Sequence, residues 1–176
     1  MKKTVTTDRK SQIKRKGFSR GIMIIALAQG KDKKKIAKLD SHIDPIRLGE
    51  CIGNGQVYVL KDDSIQNGGQ NHRRKDPVVG VLRYSLFWQT IPFLDLLYID
   101  EAYRNRGFGT KMMREWEKLM TTIRYKYVMT STQANEEAWR FYEKLGYHKV
   151  GGFFPPEQDA EEWMYVKALG NYEPIS

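Results

Sequence analysis

FLDLLYIDEAYRNRGFGTKMMREW, Phe93 to Trp116, is the stretch on which the reading of this chain turns. Its first part, Phe93 to Ile99, is a short apolar run of strand length. The polar, glycine-bearing run Arg104-Asn105-Arg106-Gly107-Phe108-Gly109-Thr110 follows. Met112, Met113, Trp116, Leu119 and Met120 then fall at i, i+1, i+4, i+7 and i+8, the stripe of a helix that buries one face against a sheet. A strand thus feeds a glycine turn that opens an amphipathic helix. Glycines at 107 and 109 let backbone N–H groups turn inward with no Cβ in the way, and the helix start adds its positive dipole end. Such a turn suits a diphosphate. The third glycine of a dinucleotide-binding loop is missing, and so is the glycine–lysine spacing of a Walker loop. Taken alone, the segment is equally well an ordinary strand-to-helix turn.

Reading towards the C-terminus, Tyr125 to Thr132 forms a strand. Asn135 is placed to cap the next helix, with Glu136 and Glu137 in its first turn near the positive dipole end. Ala138, Phe141, Tyr142 and Leu145 make that helix's apolar face, and Gly146 suits its left-handed end. Tyr147 to Phe154 and Trp163 to Ala168 read as two more strands. Towards the N-terminus, Thr90, Ile91 and Pro92 turn the chain back into a long strand, Val78 to Trp88. Before it, IQNGGQNHRRKD (65–76) is too polar to pack and reads as an extended hairpin loop after the strand VYVL at Val57. Asp44-Pro45 starts a short helix that Gly53-Asn54-Gly55 ends. Asp32 can cap an earlier helix whose face is Ile36, Leu39, Asp40 and Ile43. IMIIALA (22–28) is a first strand; its basic lead-in imitates a secretion signal, but the apolar run is very short and the basic region too long. The order β-α-α-β-β-β-α-β-α-β-β predicts one α/β domain over residues 21–176 on a mixed sheet.

Bulk properties narrow the class. At 176 residues, 40% hydrophobic and 29% charged, the chain is an ordinary single globular domain. No apolar run is long enough to span a bilayer, so no membrane partner is expected. One cysteine, Cys51, gives no disulfide framework, and His42, His72 and His148 have no metal-site spacing. No metal is expected, and a reducing cytoplasm fits. The net charge is +9, and much of it sits in residues 1–20, where Lys2, Lys3, Arg9, Lys10, Lys14, Arg15, Lys16 and Arg20 face Asp8 alone. That segment reads as a basic, flexible tail. The rest is only mildly basic and carries no recognition motif, so a nucleic-acid partner is not expected.

Two motifs together carry more than either alone. RNRGFG (104–109) resembles the Gln/Arg-x-x-Gly-x-Gly/Ala signature of the GNAT (Gcn5-related N-acetyltransferase) superfamily. LLYIDEAYR before it is similar to that family's strand-and-turn lead-in. One strand later, Asn135, Ala138, Phe141, Tyr142, Gly146 and Tyr147 match the spacing of its second motif. The resemblance spans about residues 21–169 and is strongest over Phe93–Phe153. It implies a single GNAT-like domain: a twisted, mixed, mostly antiparallel sheet, helices on both faces, and a splay between the fourth and fifth strands.

It also implies a function, acetyl transfer from acetyl-CoA to an amine acceptor. The backbone of Leu97, Tyr98 and Ile99 would pair with the pantetheine arm like an added strand. The N–H groups of Arg106, Gly107, Phe108, Gly109 and Thr110 would hold the pyrophosphate, within the loop that also contains Arg104 and Asn105. Asn135 would bond the pantetheine, and Lys144 or Arg140 would meet the 3′-phosphate, although a solvated helix face explains both. By family position Tyr142 is the proton donor to the departing thiolate; a core aromatic is the alternative. Asp95 is the candidate base, with water as its rival. Tyr84, Phe87, Trp88 and Gln89 would line the acceptor side, or else belong to the core. The acceptor itself and a homodimer both stay open.

Overall fold

The computed structural model describes residues 22–65 and 77–170. The basic tail and nearly all of the predicted hairpin loop lie outside them. The elements are β1 (Met23–Leu27), α1 (Lys33–Leu39), α2 (Pro45–Gly53), β2 (Val57–Asp62), β3 (Val78–Phe87), β4 (Ile91–Ile99), α3 (Phe108–Thr122), β5 (Tyr127–Gln133), α4 (Ala138–Lys144), β6 (His148–Phe153) and β7 (Glu162–Ala168). This is the order read from the sequence. The seven strands form one sheet in the order β1-β2-β3-β4-β5-β7-β6. The β4–β5 pair is parallel and the others are antiparallel.

Two irregularities in the middle of the sheet position everything that follows. β4 and β5 pair only at Phe93↔Met129 and Leu94↔Thr130. Past that point Asp95–Ile99 and Ser131–Gln133 diverge, which is the expected splay. The second irregularity is a bulge. Arg83 pairs with Leu96 and Tyr84 with Leu94, so Asp95 has no partner on β3. An extra residue lets two successive side chains share a face. Asp95 accordingly reaches Arg83 and Ser85, while Leu96 packs with Val81 and Val59 on that same side.

Each face has its own core. Under α1 and α2, Ile36 and Leu48 meet Val57, Val59, Val78 and Val81. On the other face Met112, Met113, Trp116 and Met120 of α3 pack on Leu60, Val79, Leu82, Leu94 and Val128, a cluster that α4 joins through Tyr142. Fully burying each such side chain contributes roughly 1.5–3 kcal/mol, so the α3 stripe seats this helix against the sheet.

Local details differ from the sequence reading in three places. Asp44 does cap α2, accepting the N–H groups of Ile46 (2.7 Å) and Arg47 (3.1 Å) ahead of Pro45. Asp32 does not cap α1; its carboxylate takes the Gln29 N–H and the Lys61 ammonium (2.8 Å), closing a 3-10 turn instead. Asn135 does not cap α4. Glu136 N–H bonds Gln133 O, which folds 134–137 into a turn, so the helix begins later, at Ala138. The β3–β4 turn falls at Trp88–Thr90, where Trp88 and Gln89 have φ of 50° and 58°, so Ile91 and Pro92 belong to β4.

Candidate active site

The glycine loop is assembled as an anion site. Gly107 precedes α3 with φ 78°, a left-handed conformation that glycine adopts without penalty. Asn105, two residues before, is also left-handed, at φ 59°. Lys111 N–H is bonded back to Gly107 O at 3.0 Å. Helix geometry therefore leaves the N–H groups of Phe108, Gly109 and Thr110 without intrahelical acceptors at the positive end of a fifteen-residue helix. A cleft of about 380 Å³ opens over them. It is lined by Leu97, Ile99, Tyr103, Arg104, Asn105, Gly107, Phe108, Gly109, Thr110 and Phe141, so it runs from the loop along the free edge of β4.

Side chains behind the loop hold it in place. Asp100 N–H bonds Val79 O at 2.8 Å, and its carboxylate accepts the Ala102 N–H. Arg104 Nε donates to Ile99 O at 2.8 Å, and its guanidinium lies 5.3 Å over the Tyr98 ring. Tyr103 donates its hydroxyl to Asp62 at 2.8 Å, tying the turn to the end of β2. Burial and then this bond push the Tyr103 hydroxyl up to about 12, so it stays a donor throughout the neutral range.

Tyr142 sits at the apex of the splay. The Thr130 hydroxyl bonds Leu94 O at 3.2 Å, bridging the last paired residues of β4 and β5, and lies beside the Tyr142 hydroxyl. Tyr142 is only 8% exposed, with Phe141, Tyr147 and Tyr165 rings around it. Burial pushes its hydroxyl above the usual 10; Thr130 draws it back, while Glu136 and Glu162 add to the rise. A phenol that keeps its proton can donate it.

Asp95 lies just past that apex on the bulge. As a residue it is exposed, yet its side chain is only 21% exposed. Its two oxygens take the Arg83 guanidinium (3.1 Å) and the Ser85 hydroxyl (2.9 Å). Burial raises its carboxyl above the ordinary 3.8, Ser85 and Arg83 pull it down, and Asp40 pushes it up.

The remaining candidates scatter. Tyr98, Arg106, Asn135 and Lys144 are not among the cleft's lining residues. Phe87 stacks on Phe93 (6.0 Å) and touches Trp88 (4.7 Å), which is 78% exposed beside Gln89 at the β3–β4 turn. Tyr84 points to the α3 face, its ring 5.8 Å from Trp116, away from Asp95. Arg83, Ser85, Asp40, Tyr103 and Phe141 were not anticipated as site residues. Arg83 had a visible signal, a charge inside the otherwise apolar run VVGVL–RYSLF. Among the described residues no helix is long and apolar enough to cross a membrane.

A donor cleft at a splayed parallel pair, ending on a glycine loop at a helix start, is joined by a direct sequence match: the model of the Acetyltransferase (GNAT) family fits residues 39–147. The chain belongs to the GNAT acetyltransferase family. The fold agrees. Ard1 from Thermoplasma volcanium superposes with a TM-score of 0.70 at 16% identity, over 85% of this chain and 99% of that one. NAA60 of Arabidopsis thaliana, solved with a bisubstrate analogue, gives 0.68 at 13% identity, over 85% and 100%. A GNAT-family acetyltransferase from Bacillus cereus gives 0.63 at 16%, over 86% and 100%. At such identities the likeness is one of fold. No curated protein sequence matched. A GNAT acetyltransferase takes its acyl group from acetyl-CoA, and the cleft residues here fit that donor: free N–H groups for phosphates, an unpaired β4 edge for an amide-bearing arm.

Proposed function

We propose that this chain transfers the acetyl group of acetyl-CoA directly to a primary amine, with Tyr142 as general acid and Asp95 as base, directly or through water. The observation that carries the reading is the buried, proton-bearing Tyr142 at the apex where the donor cleft's strand parts from β5. The amine nitrogen loses a proton towards Asp95 and attacks the thioester carbonyl. The new C–N bond forms, the C–S bond breaks, the leaving thiolate takes its proton from Tyr142, and the extra proton shed by the new amide nitrogen restores the Tyr142 hydroxyl. Backbone groups of Leu97, Tyr98 and Ile99 pair with the pantetheine arm, assisted by Asn135. The N–H groups from Arg106 to Thr110 hold the pyrophosphate, Arg104 and Asn105 shape that loop, and Lys144 meets the 3′-phosphate. The acceptor approaches past Phe87, Trp88 and Gln89.

A non-catalytic acyl-CoA-binding module is the second reading, favoured by one observation: the Arg83 ion pair on Asp95 weakens it as a base. Turnover separates the two. The test is free-CoA release from acetyl-CoA with spermidine, kanamycin, free amino acids and pentapeptides as acceptors. Amine-dependent release supports the enzyme; acetyl-CoA binding with no release from any of them supports the module.

A further inference from the structure

Asp40 is fully buried, at the C-terminal end of α1, and nothing in the acetyl-transfer reading uses it. Its Oδ2 accepts Arg83 Nε at 2.8 Å, and its Oδ1 accepts the His42 N–H at 3.1 Å, at the corner between α1 and α2. Arg83 is itself buried in β3, and its Nη1 continues to Asp95 Oδ2. Ser85, two residues along β3, holds the other Asp95 oxygen. All four carboxylate oxygens of the two aspartates therefore have a named donor. We propose that Asp40, acting through Arg83, is a positioning residue that fixes the Asp95 carboxylate on the β4 bulge and locks it to the α1–α2 corner, so that it serves the acceptor half of the reaction and leaves the donor half alone. This rests on the acetyl-transfer reading.

The arrangement is more than a fold staple needs. A buried ion pair is often replaceable by apolar side chains without loss of stability, and one carboxylate neutralises one guanidinium. The second carboxylate leaves the group one negative charge in excess, at a residue whose main chain is unpaired and open. Asp95 has no ladder partner on β3 or β5, and the Arg83 and Ser85 bonds supply the constraint that the ladder omits. Displacing a reacting group by about 1 Å can cost on the order of 10²-fold in rate. The donor cleft touches none of Asp40, Arg83 or Ser85.

The experiment uses the full chain, acetyl-CoA, and whichever of the panel amines turns over fastest. Asp40→Asn keeps the side chain's size and removes its charge. It should lower kcat/KM for that amine by about 10- to 100-fold while the acetyl-CoA Kd, from calorimetry, stays within about twofold. Asp95→Asn should do the same, and the double variant should be no worse than Asp95→Asn alone, because one residue acts through the other. Asp40→Glu, which restores the charge, should recover part of the loss. Full activity in Asp40→Asn, multiplied losses in the double variant, or acetyl-CoA affinity lost in parallel would each overturn the proposal. Should Asp40→Asn not fold, Ser85→Ala at the accessible end of the network carries the same expectation, and wild-type kinetics in it would contradict the proposal. A wild-type chain that turns over no amine would sink the acetyltransferase reading itself.

Discussion

Tyr142, from α4, and Asp95, on β4, stand beside the same strand divergence with different partners. Tyr142 is walled by aromatic rings, so its hydroxyl keeps its proton beyond the usual 10. Asp95 is buried but tied to a serine hydroxyl and a guanidinium, so its rise reflects burial outweighing those partners. If Tyr142 is the acid, Tyr142→Phe keeps the ring packing and removes an interaction made mainly in the transition state. The expected result is a kcat fall of about 10²- to 10⁴-fold with acetyl-CoA affinity nearly unchanged, measured by steady-state kinetics beside a binding titration. The sign of the pH effect follows from the raised value. The phenol's value is raised from the usual 10, so it stays a protonated donor through the neutral range and kcat should show no alkaline loss near neutrality in the wild type. An alkaline limb near neutrality would point to another donor. Tyr142 was legible in the sequence because the second motif names its position. The state of Asp95 was not: its ion pair joins residues 40, 83 and 95 through a bulge that no local pattern announces.

At the scale of elements, the donor cleft is one strand edge and one helix start joined by a constrained turn. Gly107 at φ 78° would have open space around an added Cβ, so the difficulty of a larger residue there is conformational. Gly107→Val forces a β-branched residue towards the left-handed region, at a cost of about 1–2 kcal/mol, and re-aims the N–H groups of α3. Calorimetry should show acetyl-CoA affinity lost while circular dichroism reports a folded protein; unchanged affinity would put the phosphates elsewhere. Gly109 behaves differently, since a Cβ there would meet Phe141 and Leu97 at 3.6–3.7 Å, ordinary contact distances. Gly109→Ala should therefore fold and bind more weakly by crowding the cleft, which the same titration reads. The α3 stripe was plain from its spacing, and so were the Asp44 cap and the left-handed Gly146. The start of α4 was misplaced because Asn135 resembles a cap in sequence; α1 does begin just after Asp32, but without the side-chain cap. Lys61, distant in sequence, holds Asp32 in a different role, and the Gln133–Glu136 turn delays α4.

For the whole molecule, the splay divides the sheet into a half braced by α1, α2 and α3 and a half formed by β5, β7 and β6. The cleft and Tyr142 lie at that division. The basic segment 1–20 precedes β1, so its removal should leave kcat and acetyl-CoA affinity within about twofold of the full chain. Lost turnover in a truncated protein with unchanged melting behaviour would place that segment at the acceptor. The chain order and fold class were readable because each helix and strand carries its own period and the two motifs stand in sequence. The acceptor was not readable, because the residues proposed to face it come from the β3–β4 turn and the bulge, with no shared motif. The central claim is that acetyl-CoA fills the cleft between β4 and the start of α3. Thermal unfolding with and without acetyl-CoA at about 100 times its Kd tests it most directly. Binding to the folded chain alone should add about 2.7 kcal/mol, a rise in Tm of roughly 5–10 °C for a domain of this size, and the rise should vanish in Gly107→Val. An unchanged Tm in the folded wild type at millimolar acetyl-CoA would contradict the account.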